Sequence, residues 1–118
     1  MGMRILVFGG RDWTDQQLTF RVLDKVHRER GISWIIHGGA RGADTMAGDW
    51  AQDRKVPFLR FNANWSGDGK AAGPLRNQRM LDQGKPNAGI GFPGGRGTAD
   101  MAARLRKALI PVWFPAGE

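Results

Sequence analysis

Short apolar runs alternate with helical periods along this whole chain, and that alternation limits its fold more than any other feature. "MRILVF" (Met3 to Phe8), "ISWIIH" (Ile32 to His37), "VPFLRF" (Val56 to Phe61), "NAGIGF" (Asn87 to Phe92) and "IPVWF" (Ile110 to Phe114) read as five strands. The continuous apolar character of the first is that of a strand buried on both faces. Thr14 and Gln17 form a capping box ahead of Leu18, Val22 and Val26, which recur at i, i+4 and i+8, and Gly31 stops the pattern. Met46, Ala47, Trp50 and Ala51 mark a second helix, ended by Arg54, Lys55 and Pro57. A long connection from Asn62 to Gly73 leads to a shorter helix around Leu75 to Leu81, and Thr98 caps a last helix with Met101, Leu105 and Ala108 on one face. Strands joined by single helices require right-handed crossovers and a parallel sheet covered on both faces. The expected architecture is a single Rossmann-like three-layer α/β domain over residues 1–118, with a mainly parallel five-stranded sheet in the order 3-2-1-4-5. A chain of 118 residues, 41% hydrophobic, has room for one such core.

In a sheet of this kind ligands bind beyond the carboxyl ends of the strands, where the strand order reverses. Three glycine-rich turns fall on that edge: Gly9, Gly10 and Arg11 after the first strand, Gly38, Gly39, Arg41 and Gly42 after the second, and Gly94, Gly95, Arg96 and Gly97 after the fourth. Glycine lets a backbone approach a ligand closely, and the helix that follows offers unpaired N–H groups and the positive end of its dipole to an anion. The charges agree. Eighteen Lys and Arg against eleven Asp and Glu give a formal +7, which favours a phosphate-bearing partner. Arg28, Arg30, Arg54, Lys55, Arg104, Arg106 and Lys107 lie near helix C-termini, where cations complement the dipole without any ligand. Arg11, Arg41, Lys70, Arg76 and Arg96 lie instead at the opposite edge, where they repel one another unless an anion offsets them.

Other side chains admit two readings. Trp65 is either a stacking platform for a base or a loop anchor packed on the sheet edge, and Trp13 is similar. Trp34, Trp50 and Trp113 fall in strand and helix patterns and are assigned to the core. Asp44 either caps the helix after the second glycine turn or touches a ligand. His37, at a strand end, either touches a ligand, acts as a proton donor or has a structural role, and His27, among charges, is read as solvated. One histidine without a second beside it makes no metal site, and no motif calls for a cofactor. There is no cysteine, no apolar stretch near the ~20 residues of a membrane span, and no secretory leader, so a soluble, cytosolic protein is expected.

"FGGRDWTD", "IIHGGARGADTMAGDWA", "ANW", "GKAAGPLRNQRM" and "FPGGRGTADM" together resemble the YspA-like (YAcAr) family of the SLOG superfamily over nearly the whole chain. That superfamily also holds the Lonely-guy phosphoribohydrolases and the core of the DNA-processing protein Smf/DprA. The resemblance implies a nucleotide-related pocket formed by Gly9 to Arg11, Gly38 to Asp44, Arg76 and Asn77, and Gly94 to Thr98. Lonely-guy enzymes cleave the base from nucleoside 5′-monophosphates with a "PGGxGTxxE" glutamate and an arginine on the preceding helix. Arg79 matches that arginine here, Met101 stands at the glutamate position, and the nearest acid is Asp100.

The combined reading favours binding or sensing of a nucleotide-derived small molecule through the glycine turns and arginines. A Lonely-guy type N-glycosidase and a DNA-binding module are the alternatives. A thioether cannot stabilise the charge that builds on the sugar, and Asp100 is turned about 100° from Met101 along the helix, so turnover is expected to be absent or slight and Met101→Glu to raise it. The basic residues form no continuous stripe, so DNA binding is expected to be weak, non-specific and steeply salt-dependent. Self-association into a homo-oligomer is left open.

Overall fold

The structure, a computed structural model, describes residues 2–118. The elements run β1 (Met3–Phe8), α1 (Gln16–Arg30), β2 (Ile32–His37), α2 (Ala43–Asp53), β3 (Phe58–Arg60), α3 (Trp65–Asp68), a 3-10 turn (Gly69–Ala71), α4 (Ala72–Asp82), β4 (Ala88–Gly91), α5 (Arg96–Lys107) and β5 (Val112–Trp113). All strand pairings are parallel and the order is β3-β2-β1-β4-β5, as the alternation of runs and helices predicts.

β1 feeds two cores at once, because successive side chains on a strand point to opposite faces. Ile5 and Val7 pack with Val22 and Leu23 of α1 and with Ala47 and Trp50 of α2. Leu6 and Phe8 pack on the other face with Met80 of α4 and with Met101 and Leu105 of α5. All four β1 residues from Ile5 to Phe8 are buried, and each stabilises the fold by roughly 1.5–3 kcal/mol. This two-sided burial makes β1 the centre of a three-layer sandwich. No helix among the described residues is long and apolar enough to cross a membrane.

Several local expectations are corrected. The cap of α1 is Asp15, whose carboxylate accepts from the Leu18 N–H at 3.0 Å, and not Thr14. α5 begins at Arg96 with Gly95 as its cap, so Thr98 lies inside the first turn. β3 and β5 are shorter than their apolar runs. Pro111 and Pro115 flank β5, and Pro111 has no N–H for a ladder. The connection after Asn62 holds α3, capped by the Asn64 side chain accepting from Gly67 N–H at 3.1 Å. Trp50 is fully buried, but Trp113 on the edge strand is exposed and Trp34 is only half-buried, with the Arg4 guanidinium 5.8 Å from its ring. His27 is not solvated: its Nδ1 accepts from the Ile32 N–H at 2.9 Å and its ring meets Trp50 edge-on.

The turns after β1, β2 and β4 are tied to one residue. Gly10 donates its N–H to the Pro93 carbonyl at 3.0 Å, and its own carbonyl accepts from Ala43 N–H at 3.4 Å and Trp13 N–H at 3.3 Å. Gly42 has φ +87, and a Cβ there would run into the Gly10 carbonyl oxygen. Gly42→Ala is therefore expected to cost about 2 kcal/mol or more, read as a lower urea midpoint, because strain and backbone clash act together.

Candidate functional site

A crevice of about 600 Å³ opens at the carboxyl edge of the sheet, between the turns that follow β1 and β4. Its position follows from the topology, since β1 pairs with both β2 and β4 and the strand order reverses there. The register sets Phe8 beside Gly91, so the two strands end level and their turns face each other. Gly9, Gly10 and Arg11 form one wall, and Gly95, Arg96, Gly97 and Thr98 the other. α3, the 3-10 turn and α4 supply Trp65, Lys70, Arg76 and Asn77.

At the head of α5 the backbone N–H groups of Arg96, Gly97 and Thr98 have no acceptor among the described residues, and no side chain caps the helix. The start of α2 is different. There Ala43 N–H goes to Gly10, Thr45 N–H goes to Ala40, and the Asp44 carboxylate accepts from Gly38 N–H at 2.9 Å and Ala40 N–H at 3.4 Å. The second glycine turn is thus wrapped around Asp44, which takes the Gly38 and Ala40 N–H groups and does not cap the helix's own N–H groups. Helix α5 keeps three consecutive N–H groups at its head that an anion could take.

Four cations, Arg11, Lys70, Arg76 and Arg96, line the crevice against two carboxylates, Asp44 and Asp100. None of the four is in an ion pair among the described residues. Arg76 donates Nη1 to the Gly38 carbonyl and Nε to Asn77 Oδ1 at 3.0 Å. Burial holds its pKa below the ordinary value; Asp44 opposes that, while the charges of Arg11 and Arg79 add to it. The Arg11 guanidinium sits 5.4 Å from the centre of the Trp65 ring, and Trp65 is 51% exposed, so it is not the packed anchor of the second reading. Trp13 is structural: it stacks on Phe92 at 5.2 Å and donates Nε1–H to Thr19 at 2.8 Å.

The carboxylates are held in different states. Burial pushes Asp44 up to about 6, although Arg76, the loop N–H groups and Arg11 pull it down. At Asp100 burial is outweighed by hydrogen bonds from Arg104 Nε at 2.8 Å and Asn77 Nδ2 at 2.9 Å, so its pKa lies below the ordinary carboxylate value. Behind the second turn His37 is buried and lowered to about 4 by burial and by the charges of Arg60 and Arg76. Its Nδ1 accepts from Gly39 N–H at 3.0 Å, while Nε2 has no partner.

The remaining candidates lie elsewhere. Gly38, Gly39 and Arg41 line an adjoining hollow, and Arg41 pairs with Asp12 at 3.2 Å. Gly42 faces a third hollow beyond it, and Gly94 packs against Gly10 and Thr98. Arg79 is not in the crevice wall; its Nη2 donates to the Asn62 carbonyl at 2.8 Å. Met101 is 1% exposed, packed between α5 and the sheet, so Met101→Glu would bury a carboxylate in the core and not restore a site. Asp100, set aside by the helical-turn argument, is the acid of this helix that lines the crevice. Ala40, within the Gly38 to Asp44 segment that the resemblance implies, also lines it, as do Gly73 and Pro74, small residues that carry no chemical signal in the sequence.

The YAcAr family, described as the YspA, cpYpsA-related SLOG family, matches residues 3–67. Gene 61 protein of Mycobacterium phage D29 is 38% identical, over 92% of this chain and 93% of that protein. No solved structure matches.

Asp44 and His37 make opposite contributions to pH dependence. With a folded pKa near 6 against 3.8 when unfolded, Asp44 binds its proton more readily in the fold, so its contribution to stability grows as pH falls through 6. His37, near 4 against 6.5, protonates more readily when unfolded, so stability drains away as pH falls below 6.5. In the wild type the two nearly cancel. Asp44→Asn is expected to leave His37 unopposed and to lose about 2 kcal/mol between pH 7 and pH 4.5, measured by urea unfolding. His37→Asn should instead become more stable over the same range.

Proposed function

We propose, for a chain that belongs to the YspA, cpYpsA-related SLOG family, that it binds a phosphorylated nucleoside in the crevice between the turns after β1 and β4. The observation that carries this reading is the convergence of the unpaired N–H groups of α5 with four cations free of carboxylate partners. Each cation comes from a different segment, so no local helix or turn requirement accounts for their meeting. Together they repel, and a bound phosphate lowers that cost while its oxygens take the free N–H groups. The half-exposed Trp65 ring on the wall supplies a face for a base. A volume of about 600 Å³ is within the ordinary range for small-molecule sites. In this reading the protein is a binding or sensing domain.

Gly95 allows a clean test. A Cβ there meets nothing within 4 Å and the residue has φ −101, so a side chain is tolerated by the fold. Gly95→Asp puts a carboxylate where the phosphate is required. Calorimetry with AMP, GMP, CMP and UMP should find at least one ligand, and the variant should bind it at least tenfold more weakly with an unfolding midpoint no lower than that of the wild type, since Asp suits the cap position of α5. If no monophosphate binds, or Gly95→Asp binds as well as wild type, the reading fails.

Cleavage of an N-glycosidic bond is a second reading, favoured by one observation: the ionised Asp100 lines the crevice, with Oδ1 free of hydrogen bonds among the described residues. Such a carboxylate can stabilise an oxocarbenium-like sugar. Against it, Arg79 stands outside the wall and Oδ2 of Asp100 is engaged by Arg104 and Asn77. Base release from the four monophosphates, followed by chromatography, is expected at background. Brisk release abolished by Asp100→Asn would replace binding by catalysis.

A further inference from the structure

The crevice is not closed at its β2 side. A second hollow of about 410 Å³ adjoins it, and the two share Arg11, Ala40, Trp65 and Arg76 as common wall. Beyond that wall the second hollow is lined by Gly38, Gly39, Arg41, Asn62 and Ala63. Resting on the proposed nucleotide reading, we infer that the ligand is a nucleoside diphosphate joined to a second sugar, with the sugar seated in this second hollow.

The charge distribution leads there. Arg11 and Arg76 stand at the junction of the two hollows, neither in an ion pair. Arg11 donates no side-chain hydrogen bond among the described residues, and Arg76 keeps Nη2 uncommitted. One phosphate on the N–H groups of α5 leaves both junction guanidiniums uncompensated. A second phosphate linked to the first falls between them, and a guanidinium pair is suited to a phosphate's paired oxygens. Whatever that phosphate carries then enters the second hollow. Beyond the shared wall its lining is Gly38, Gly39, Arg41, Asn62 and Ala63, with no aromatic side chain beyond the shared Trp65, and Asn62 Oδ1 accepts from Arg60 Nε at 2.9 Å. Arg41 Nη1 and Asn62 Nδ2 donate to nothing among the described residues and are left for hydroxyls, and there is no second stacking face, so the hollow fits a sugar better than a second base. The Gly39 N–H is already held by His37 and the Gly38 and Ala40 N–H groups by Asp44, which keeps the turn rigid against the pocket.

Ala63 lines the second hollow and not the first, so filling it separates the two sites. Calorimetry would compare AMP, GMP and UMP, their diphosphates, and ADP-ribose, GDP-mannose and UDP-glucose on wild type, Ala63→Leu and Ala63→Glu. The nucleotide sugar of the preferred base should bind at least tenfold more tightly than its monophosphate and more tightly than its diphosphate. Both variants should reduce it to the diphosphate level or below while monophosphate affinity stays at the wild-type value, which also shows that they fold. A monophosphate that binds while its nucleotide sugar gains nothing over the diphosphate overturns this inference alone. The same holds if the Ala63 variants leave the nucleotide sugar unaffected. If no monophosphate binds, the nucleotide reading itself falls and this inference with it. A five-residue deoxythymidine strand that binds more tightly than every nucleotide sugar, and weakens in the Ala63 variants, would make the occupant a single strand and overturn the sugar assignment.

Discussion

The carboxyl edge of this protein is organised by the backbone of Gly10. Its N–H reaches the turn after β4 and its carbonyl reaches the first residue of α2, so one residue holds three turns in a fixed relation. A side chain is excluded there because a Cβ would lie 2.6 Å from the Pro93 carbonyl oxygen. β1 can place Gly10 so exactly because its preceding residues are clamped by apolar contacts on both faces of the sheet. Packing of the strand and position of the crevice are therefore one constraint.

What the edge then carries is an imbalance of charge. Four unpaired cations face two carboxylates, and one of those carboxylates keeps its proton up to about pH 6 because burial outweighs the arginines near it. The excess is therefore larger at mildly acidic pH than a count of residues suggests. His37, buried behind the same turn, adds no positive charge near neutrality because burial and the neighbouring Arg60 and Arg76 keep it neutral. His37 is thus neutral behind the turn, and the uncompensated positive charge lies on the crevice wall. Such an arrangement disfavours the empty state and rewards an anion.

Much of this was legible in the chain. β1, with Ile5 and Val7 on one face and Leu6 and Phe8 on the other, reads as doubly buried, and the parallel sheet and its order follow from the alternation of runs and helices. Met101 was legible as a core residue from its spacing to Leu105, and it is buried. The misreadings share a cause. Thr14 and Thr98 each belong to a residue type that suits a cap, but the true caps, Asp15 and Gly95, depend on where the preceding turn releases the chain. Trp113 looked like core because its neighbours are apolar, yet β5 is an edge strand with a single partner. His27 looked solvated among its charges, although the first residue of β2 needed an acceptor for its N–H.

The sequence by itself determined the elements, the two faces of β1 and the places where the backbone had to be bare, because periodicity and turn chemistry act between near neighbours in the chain. Only the tertiary structure decided which of the bare turns keeps free donors and which acid faces the crevice. The turn after β2 gives its Gly38 and Ala40 N–H groups to Asp44, the head of α5 keeps three without acceptors among the described residues, and Asp100 lines the crevice while Met101 lies in the core. Arg76 reaches the β2 turn from 38 residues away, and Arg41 turns aside to Asp12. These outcomes rest on contacts between distant segments and on burial, which exist only once the sheet has brought its turns to one edge.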